Sequence, residues 1–387
     1  MQFIVKTIKN DDIKNELLKI GFDSQYIDLA ALKHDFLSLK IENLPFYCAT
    51  IIKQTALSKG ADAGVHRDVL LGKIENSSLI LSGSIKQLKE ILKSLSYQPF
   101  GLKNVAKLIE DEINLHFKKK SPKIMGILNV TKDSFSDGGK FFELKDAIIH
   151  AEKLIKDGAD IIDIGAESTR PNAETIDIDF EIEKLTPIVK ELKKQNIKIS
   201  IDTRNHKTAE KMIELGVDII NDVSNLNYDN KMVDIIKNSN VSYILCHSRG
   251  IPQNMDEFCN YKNAADEIYE ELFKKSQFLI DEGIEKERII IDVGFGFAKN
   301  IEQNFELLKR IKEFNSLGFK NLAGLSRKRF IKSLANDKNL EIQDDLTMLA
   351  SFYLIQENVD IIRVHNVQKT KTALDFYNAI YSQKPYP

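Results

Sequence analysis

Cysteine is scarce. Cys48, Cys246 and Cys259 are the only three, too few for a disulfide framework, and no CxxC pair offers a structural zinc site. Free thiols point to a reducing cytoplasm, so a cytoplasmic protein is expected. A surplus of one charge is also missing: 55 basic and 57 acidic residues leave a net charge of −2. That balance gives no electrostatic footprint for nucleic acid, and any anion site has to be local. No apolar run reaches the ~18 residues that span a bilayer, so no membrane segment is expected. The opening residues, MQFIVKTIKNDD, lack the apolar stretch of a secretion signal. What remains is 387 residues, 43% hydrophobic and 29% charged, the mix of an ordinary globular protein. The length fits two domains, or one large α/β barrel with an appendage.

A change in texture falls near residue 118, where the lysine cluster of LHFKKKSPK runs into Ser121-Pro122. Charge followed by proline marks a boundary, and it divides the chain into residues 1–118 and 119–387. Beyond it, short runs rich in Ile and Val alternate with amphipathic segments. The runs are IMGILN (124–129), DIIDIG (160–165), IKISID (197–202), DIIND (218–222), VSYILCH (241–247), RIIIDVG (288–294), KNLAGLS (320–326) and DIIRVH (360–365). Runs apolar on both faces suit strands buried in a parallel sheet. Two of the intervening helical patterns close with Gly158 and Gly216, which suit left-handed helix caps. Eight such units over about 265 residues predict a (β/α)8 TIM barrel. A doubly wound open sheet is the alternative, but no GxGxxG fingerprint follows the first strand. Before residue 118, SLILSGSIKQLKEILKSLS (78–96) reads as a strand and a helix, and NVAKLIEDEINLHF (104–117) as another helix. A small α/β N-terminal domain follows. Its His66-Arg67-Asp68 reads as an exposed loop rather than a catalytic set.

In a barrel, chemistry gathers at the C-terminal ends of the strands. Here those ends carry Asn129, Glu167-Ser168-Thr169-Arg170, Asp202, Asn221-Asp222, His247, Asp292, Ser326-Arg327-Lys328, and Arg363 with His365. Taken singly, Asp202-Thr203 and Asn221-Asp222 could cap helices, and Asn129 could be a turn residue. Eight polar ends together would be costly to bury without a polar ligand. Asp202, Asn221 and Asp292 suit a flat heterocycle with N–H donors and ring acceptors. Lys328, Arg363 and His365 suit phosphate, and Arg363 and His365, two apart, fall on one strand face. Asn129 is a neutral oxygen fit for Mg2+ shared with substrate phosphates. TKDSFSDGGK (131–140) and GAESTRPNAET (165–175) read as lids or as solvated loops.

Seven segments, in order, resemble the dihydropteroate synthases: IMGILNVTKDSFSDGGKF (124–141), GADIIDIGAESTRPNAE (158–174), SIDTRN (200–205), IINDVS (219–224), IIIDVGFGFAK (289–299), GLSRKRF (324–330) and IIRVHNV (361–367). The resemblance implies condensation of 6-hydroxymethyl-7,8-dihydropterin pyrophosphate with 4-aminobenzoate, giving 7,8-dihydropteroate and pyrophosphate on the folate pathway. It further implies that Asp202, Asn221, Asp292 and Lys328 hold the pterin, and that Asn129 ligates Mg2+. Thr169, Arg363 and His365 would contact the phosphates. Arg170 and Pro171 would close over the pyrophosphate and shape the 4-aminobenzoate pocket, with Phe295 beside the aromatic ring. Lys328, Asp202 and Arg170 would stand nearest the chemistry, which is dissociative: pyrophosphate leaves, and the arylamine attacks the pterin cation. Sulfonamide sensitivity and a homodimer belong to the same expectation.

The chain departs from the family pattern at four places. Cys246-His247-Ser248 replaces a Met-His-Met run, Val293 a proline, Arg329 a serine that meets the aminobenzoate carboxylate, and Asn366 an aspartate. Arg329 is expected to point outward. Two other readings share the barrel. A pterin-dependent methyltransferase would not need the phosphate residues, and a non-catalytic pterin-binding paralogue would have lost them.

Overall fold

The computed structural model describes residues 3–130, 140–167, 176–229, 231–250, 254–335 and 339–381. The chain divides into two compact units, Met1–Lys118 and Lys119–Pro387. In the first, helices α1 (Ile13–Lys19) and α2 (Ile27–Ala31) precede a three-stranded antiparallel sheet of order β1-β3-β2. Its strands are β1 (Phe36–Pro45), β2 (Asp62–Val65) and β3 (Asn76–Ser84), and its other helices are α3 (Phe46–Ser58), α4 (Ile85–Leu95) and α5 (Leu102–Phe117). Leu79 and Leu81 of β3 are buried while Ile80 between them is exposed, the alternation of a sheet covered on one face. Ile85, Leu88, Ile91 and Leu95 form the buried stripe of α4 and share a core with those leucines. Ser84 starts α4 through a capping box with Gln87.

The second unit is a closed barrel of eight parallel strands in the order β10-β11-β4-β5-β6-β7-β8-β9. The strands are β4 (Lys123–Asn129), β5 (Ile161–Gly165), β6 (Lys198–Asp202), β7 (Ile219–Asp222), β8 (Ser242–Cys246), β9 (Ile289–Asp292), β10 (Lys320–Ala323) and β11 (Ile361–Val364). Around them run α6 (Lys140–Lys156), α7 (Ile178–Leu192), α8 (His206–Glu214), α9 (Lys231–Lys237), α10 (Ala264–Asp281), α11 (Ile301–Lys309), the short α12 (Arg329–Lys332), α13 (Leu340–Gln356) and α14 (Val367–Tyr381). Gly158 and Gly216 sit at φ +105° and +86°, as the helix ends in the sequence suggest. Among the described residues no helix is long and apolar enough to cross a membrane.

Two cores follow from strand alternation. One set of side chains, including Ile162, Ile199, Ile220, Leu245, Ile291 and Ile362, packs outward with the helices. The other points inward in layers drawn from alternate strands. Ile161, Ile219, Ile290 and Ile361 make one apolar layer, and Met125, Ile244 and Leu322 belong to the next, which Ser200 completes by register. Two residues further along the same strands, the inward set turns polar.

Candidate active site

That polar set is Asp163, Asn221, Asp292 and Arg363, followed one layer higher by Asp202 on β6. Arg363 joins the groups across the barrel. Its Nε donates to Asp163 Oδ2 at 2.6 Å and its Nη2 to Asp202 Oδ2 at 2.7 Å. Asn221 Nδ2 donates to the same Asp163 oxygen at 3.1 Å. Neither Asp202 nor Asn221 is a helix cap, because both are spent inside the barrel. Asp163 Oδ1 and Asn221 Oδ1 remain buried acceptors without a partner. Such orphans call for donors from a ligand. Burial pushes the Asp202 carboxyl up to about 7; Arg363 opposes this, while the nearby Asp163, Glu167 and Glu181 charges add to it. Burial likewise raises Asp292, against the pull of the Lys328 cation.

The turn after β9 supplies the next wall. Asp292 Oδ1 accepts from Gly294 N at 2.8 Å. Lys328 Nζ donates to the Phe295 carbonyl and lies 4.4 Å from the centre of the Phe297 ring. Burial lowers the Lys328 ammonium from its usual range, and the Asp292 charge resists the shift. The expected role of Phe295 is corrected here. Its ring is 0% exposed and stacks on Phe330 at 5.8 Å, inside the core, because Gly294 and Gly296 at positive φ turn successive residues in different directions. Phe297, two residues on, lines a cavity with Val223, Tyr228, Ser248 and Met255.

Not every polar strand end reaches the mouth. Asp222 faces outward and accepts from Tyr243 Oη at 2.7 Å. His247, 0% exposed, is held between Lys299 and Glu271. Arg327, at φ +57°, turns to a two-bond pair with Asp344 at 2.8 and 2.9 Å. Strand alternation is the reason for Asp222 and His247, each of which follows an inward group and points to the helices; Arg327 lies beyond the end of β10 and is turned by its left-handed backbone. His365 Nδ1 meets Ser326 Oγ at 3.0 Å. Asn129 is exposed at the end of β4. Thr169, Arg170 and Pro171 lie outside the described residues, as does most of both candidate lids.

Asp163, Phe297 and Arg204 are absent from the sequence-based set, and Glu167 is in it without its partner. Asp163 was legible as an acid inside an otherwise apolar strand, in phase with Ile161. Phe297 needed the course of the turn. The buried pair of Arg204 and Glu167, at 2.9 and 2.6 Å, needed the tertiary contact. At the departures, Arg329 points outward to Asp256 at 3.0 and 2.5 Å. Asn366 donates to Asp344 at 3.0 Å, and Val293 is buried in the core. The Ser248 carbonyl accepts from Asn225 at 2.9 Å.

Residues 125–365 match the family described as pterin binding enzyme. A bifunctional dihydropteroate synthase/dihydropteroate reductase of Helicobacter pylori is 34% identical over 95% of this chain and 96% of its own length. A dihydropteroate synthase of Streptococcus pyogenes is 42% identical, over 63% of this chain and 90% of its own. The crystal structure of the Clostridium difficile dihydropteroate synthase with pteroic acid superposes with a TM-score of 0.64 at 38% identity, over 69% of this chain and 99% of that one. The orphaned acceptors of the barrel mouth and these likenesses agree: the chain belongs to the pterin-binding enzymes, in the dihydropteroate synthase family.

Proposed function

We propose that the barrel condenses 6-hydroxymethyl-7,8-dihydropterin pyrophosphate with 4-aminobenzoate, giving 7,8-dihydropteroate and pyrophosphate for folate biosynthesis, and that its polar layers hold the pterin. The observation that carries this reading is the pair of unpartnered acceptors, Asp163 Oδ1 and Asn221 Oδ1, beside Asp202 and Asp292. An aminopyrimidine edge presents N–H donors to such acceptors. Lys328 donates to a ring acceptor, and the Phe297 ring packs against the heterocycle. Thr169, Arg170, Arg363 and His365 meet the pyrophosphate. As the C–O bond breaks, preorganised cations stabilise the charge that develops on the leaving group. The carboxylates of the inner layers stabilise the positive methylene left on the pterin. The neutral arylamine then attacks, and Pro171 with the surrounding loop keeps water from that carbon. No side-chain nucleophile is needed. Asn129 is a single exposed neutral oxygen, a donor that fits Mg2+ retaining most of its waters. Bound there, the ion would supply positive charge to the pyrophosphate oxygens. Sulfonamides compete for the 4-aminobenzoate position.

The test is direct. The purified chain with both substrates and Mg2+ should form 7,8-dihydropteroate and release pyrophosphate in equal amounts. Pyrophosphate release with 4-aminobenzoate present but no 7,8-dihydropteroate formed, or no release at all, would overturn the reading.

A second activity is favoured by how the relatives align. The Streptococcus pyogenes synthase covers 63% of this chain. The relative that covers 95% of it carries a reductase in its name as well. We infer that the longer chain also reduces 7,8-dihydropteroate to the tetrahydro form, with Met1–Lys118 serving that step. A hydride from a reduced nicotinamide or flavin, plus a proton from water, would saturate the remaining ring C=N bond. Incubating the full chain with 7,8-dihydropteroate and each donor class should yield tetrahydropteroate. Recovery of unreduced dihydropteroate with every donor would remove this reading. A homodimer completes the proposal, supported by Leu349 on α13 and Phe376 and Ile380 on α14, large apolar side chains 52–63% exposed on two helices that pack together.

A further inference from the structure

One buried cation takes no part in the scheme above. Lys299 follows the turn after β9 and is 2% exposed. Among the described residues no carboxylate pairs with it. Its Nζ donates to Gly294 O at 2.9 Å, Phe297 O at 2.8 Å and His247 Nδ1 at 3.0 Å, with His247 O further off at 3.4 Å. Every neighbour within reach is an acceptor. An ammonium has three protons to give, and three short contacts take them. Burying such a group in low dielectric is costly, and it pulls the Lys299 pKa down to about 7.

The acceptors are themselves fixed. Because His247 Nδ1 accepts, its ring proton sits on Nε2, which donates to Glu271 Oε2 at 3.0 Å. Burial and the Lys299 charge push the His247 pKa down to about 3, so the ring stays neutral. Glu271 in turn accepts from Arg249 Nε at 3.1 Å. The chain of contacts therefore runs from Arg249 through Glu271 and His247 to Lys299, and ends on two carbonyls of one turn.

That turn is unusual in its backbone. Gly294, Gly296 and Ala298 all have positive φ, at +68°, +78° and +48°. The alternation sends the carbonyls of Gly294 and Phe297 to Lys299, and the intervening carbonyl of Phe295 to Lys328. The same turn carries the Phe297 ring beside Lys328, and its Gly294 N–H holds Asp292. Lys299 thus lies on the side of the turn away from the substrate, while three groups on the other side face the pterin.

We propose that Lys299 is a positioning residue for the pterin site: by pinning the Gly294 and Phe297 carbonyls it sets the turn that places Phe297, Asp292 and Lys328. The proposal rests on placing the pterin against Asp292 and Lys328. A separate clamp on the turn, Asn304 Oδ1 accepting from Gly296 N at 2.7 Å, does not involve the Lys299 ammonium.

Lys299→Met keeps the apolar stem and removes the donors. Steady-state kinetics on the folded variant should show the KM for the pterin substrate raised about tenfold or more, the size of effect that misplacing one charged hydrogen-bonding group produces. The KM for 4-aminobenzoate should change less than threefold. Glu271→Gln, which loosens the orientation of His247 from the far end, should move the pterin KM in the same direction by about threefold, and it decides the matter if Lys299→Met does not fold. Asp292→Asn, measured alongside, reports on the pterin placement itself: an unchanged pterin KM there would fault the placement. A raised pterin KM in Asp292→Asn together with wild-type pterin KM in folded Lys299→Met would overturn the role of Lys299. So would wild-type behaviour of Glu271→Gln where Lys299→Met is unfolded, since Lys299 would then serve the fold alone.

Discussion

Arg363, half-buried, sits between the buried carboxylates of Asp163 and Asp202 at the barrel mouth. Removing one partner from such a group leaves buried charge uncompensated, at a cost of about 3–5 kcal/mol. Arg363→Ala should therefore lose stability of that order in denaturant melts as well as weaken binding of the pyrophosphate substrate. Wild-type stability would mean that the carboxylates do not depend on the guanidinium. Asp202 makes a pH prediction. Its folded pKa of about 7 exceeds the ordinary 3.8. Between those values the folded chain binds more protons than the unfolded one, so this contribution to stability falls as pH rises from about 4 to 7. His247 works the other way, with a folded value of about 3 against 6.5: the unfolded chain binds more protons, and stability rises with pH in that window. Asp202→Asn removes only the first effect. Its melting temperature should climb more steeply than the wild type's between pH 4 and 6.5, and parallel curves would show Asp202 ionised throughout. At the rim, the pair of Arg329 with Asp256 is 56% and 49% exposed. Such pairs contribute about 0–1 kcal/mol. Arg329→Ser should leave the KM for 4-aminobenzoate within about threefold, whereas a tenfold rise would bring Arg329 into the pocket.

At the scale of elements, the short strands matter most. β9 ends at Asp292 and β10 at Ala323, earlier than the apolar runs of the sequence. Gly294 and Arg327, both at positive φ, take the chain out of the strand direction. The loops that follow, not the strands, then aim Phe297 and Lys328. A Cβ on Gly294 would meet the His247 carbonyl oxygen at 1.9 Å. Gly294→Ala should displace the turn and lose pterin binding more severely than Asp292→Asn. Calorimetric titration with a pterin checks this, and unimpaired binding would show that the turn tolerates the shift. The eight strands and their order of helices were readable because a buried parallel strand is apolar on both faces. The left-handed turn of Gly294-Phe295-Gly296-Phe297 was not, since two phenylalanines of equal hydrophobicity give no sign of which one is buried.

At the scale of the whole molecule, two compact units share one chain. The proposed dimer depends on exposed apolar side chains of α13 and α14. If it forms there, Phe376→Asp should give a monomer in sedimentation velocity with barrel secondary structure intact. A dimer that persists would place the interface elsewhere.

The sequence by itself determined the barrel, the division near residue 118 and the types of group at the mouth. Strand alternation and the Ile/Val runs are local patterns, and Asp202, Asn221, Asp292, Lys328, Arg363 and His365 fall at their ends. Tertiary structure decided how those groups are shared. Arg363 lies on β11, Asp163 on β5 and Asp202 on β6, so their contact exists only once the barrel closes. The packing of His247 between Lys299 and Glu271 and the left-handed backbone at Arg327 set those two aside from the mouth, and the glycine turn after β9 exchanged Phe295 for Phe297. Pairing between residues 200 and 161 positions apart leaves no trace in a local pattern, because each partner lies far outside the other's stretch of sequence.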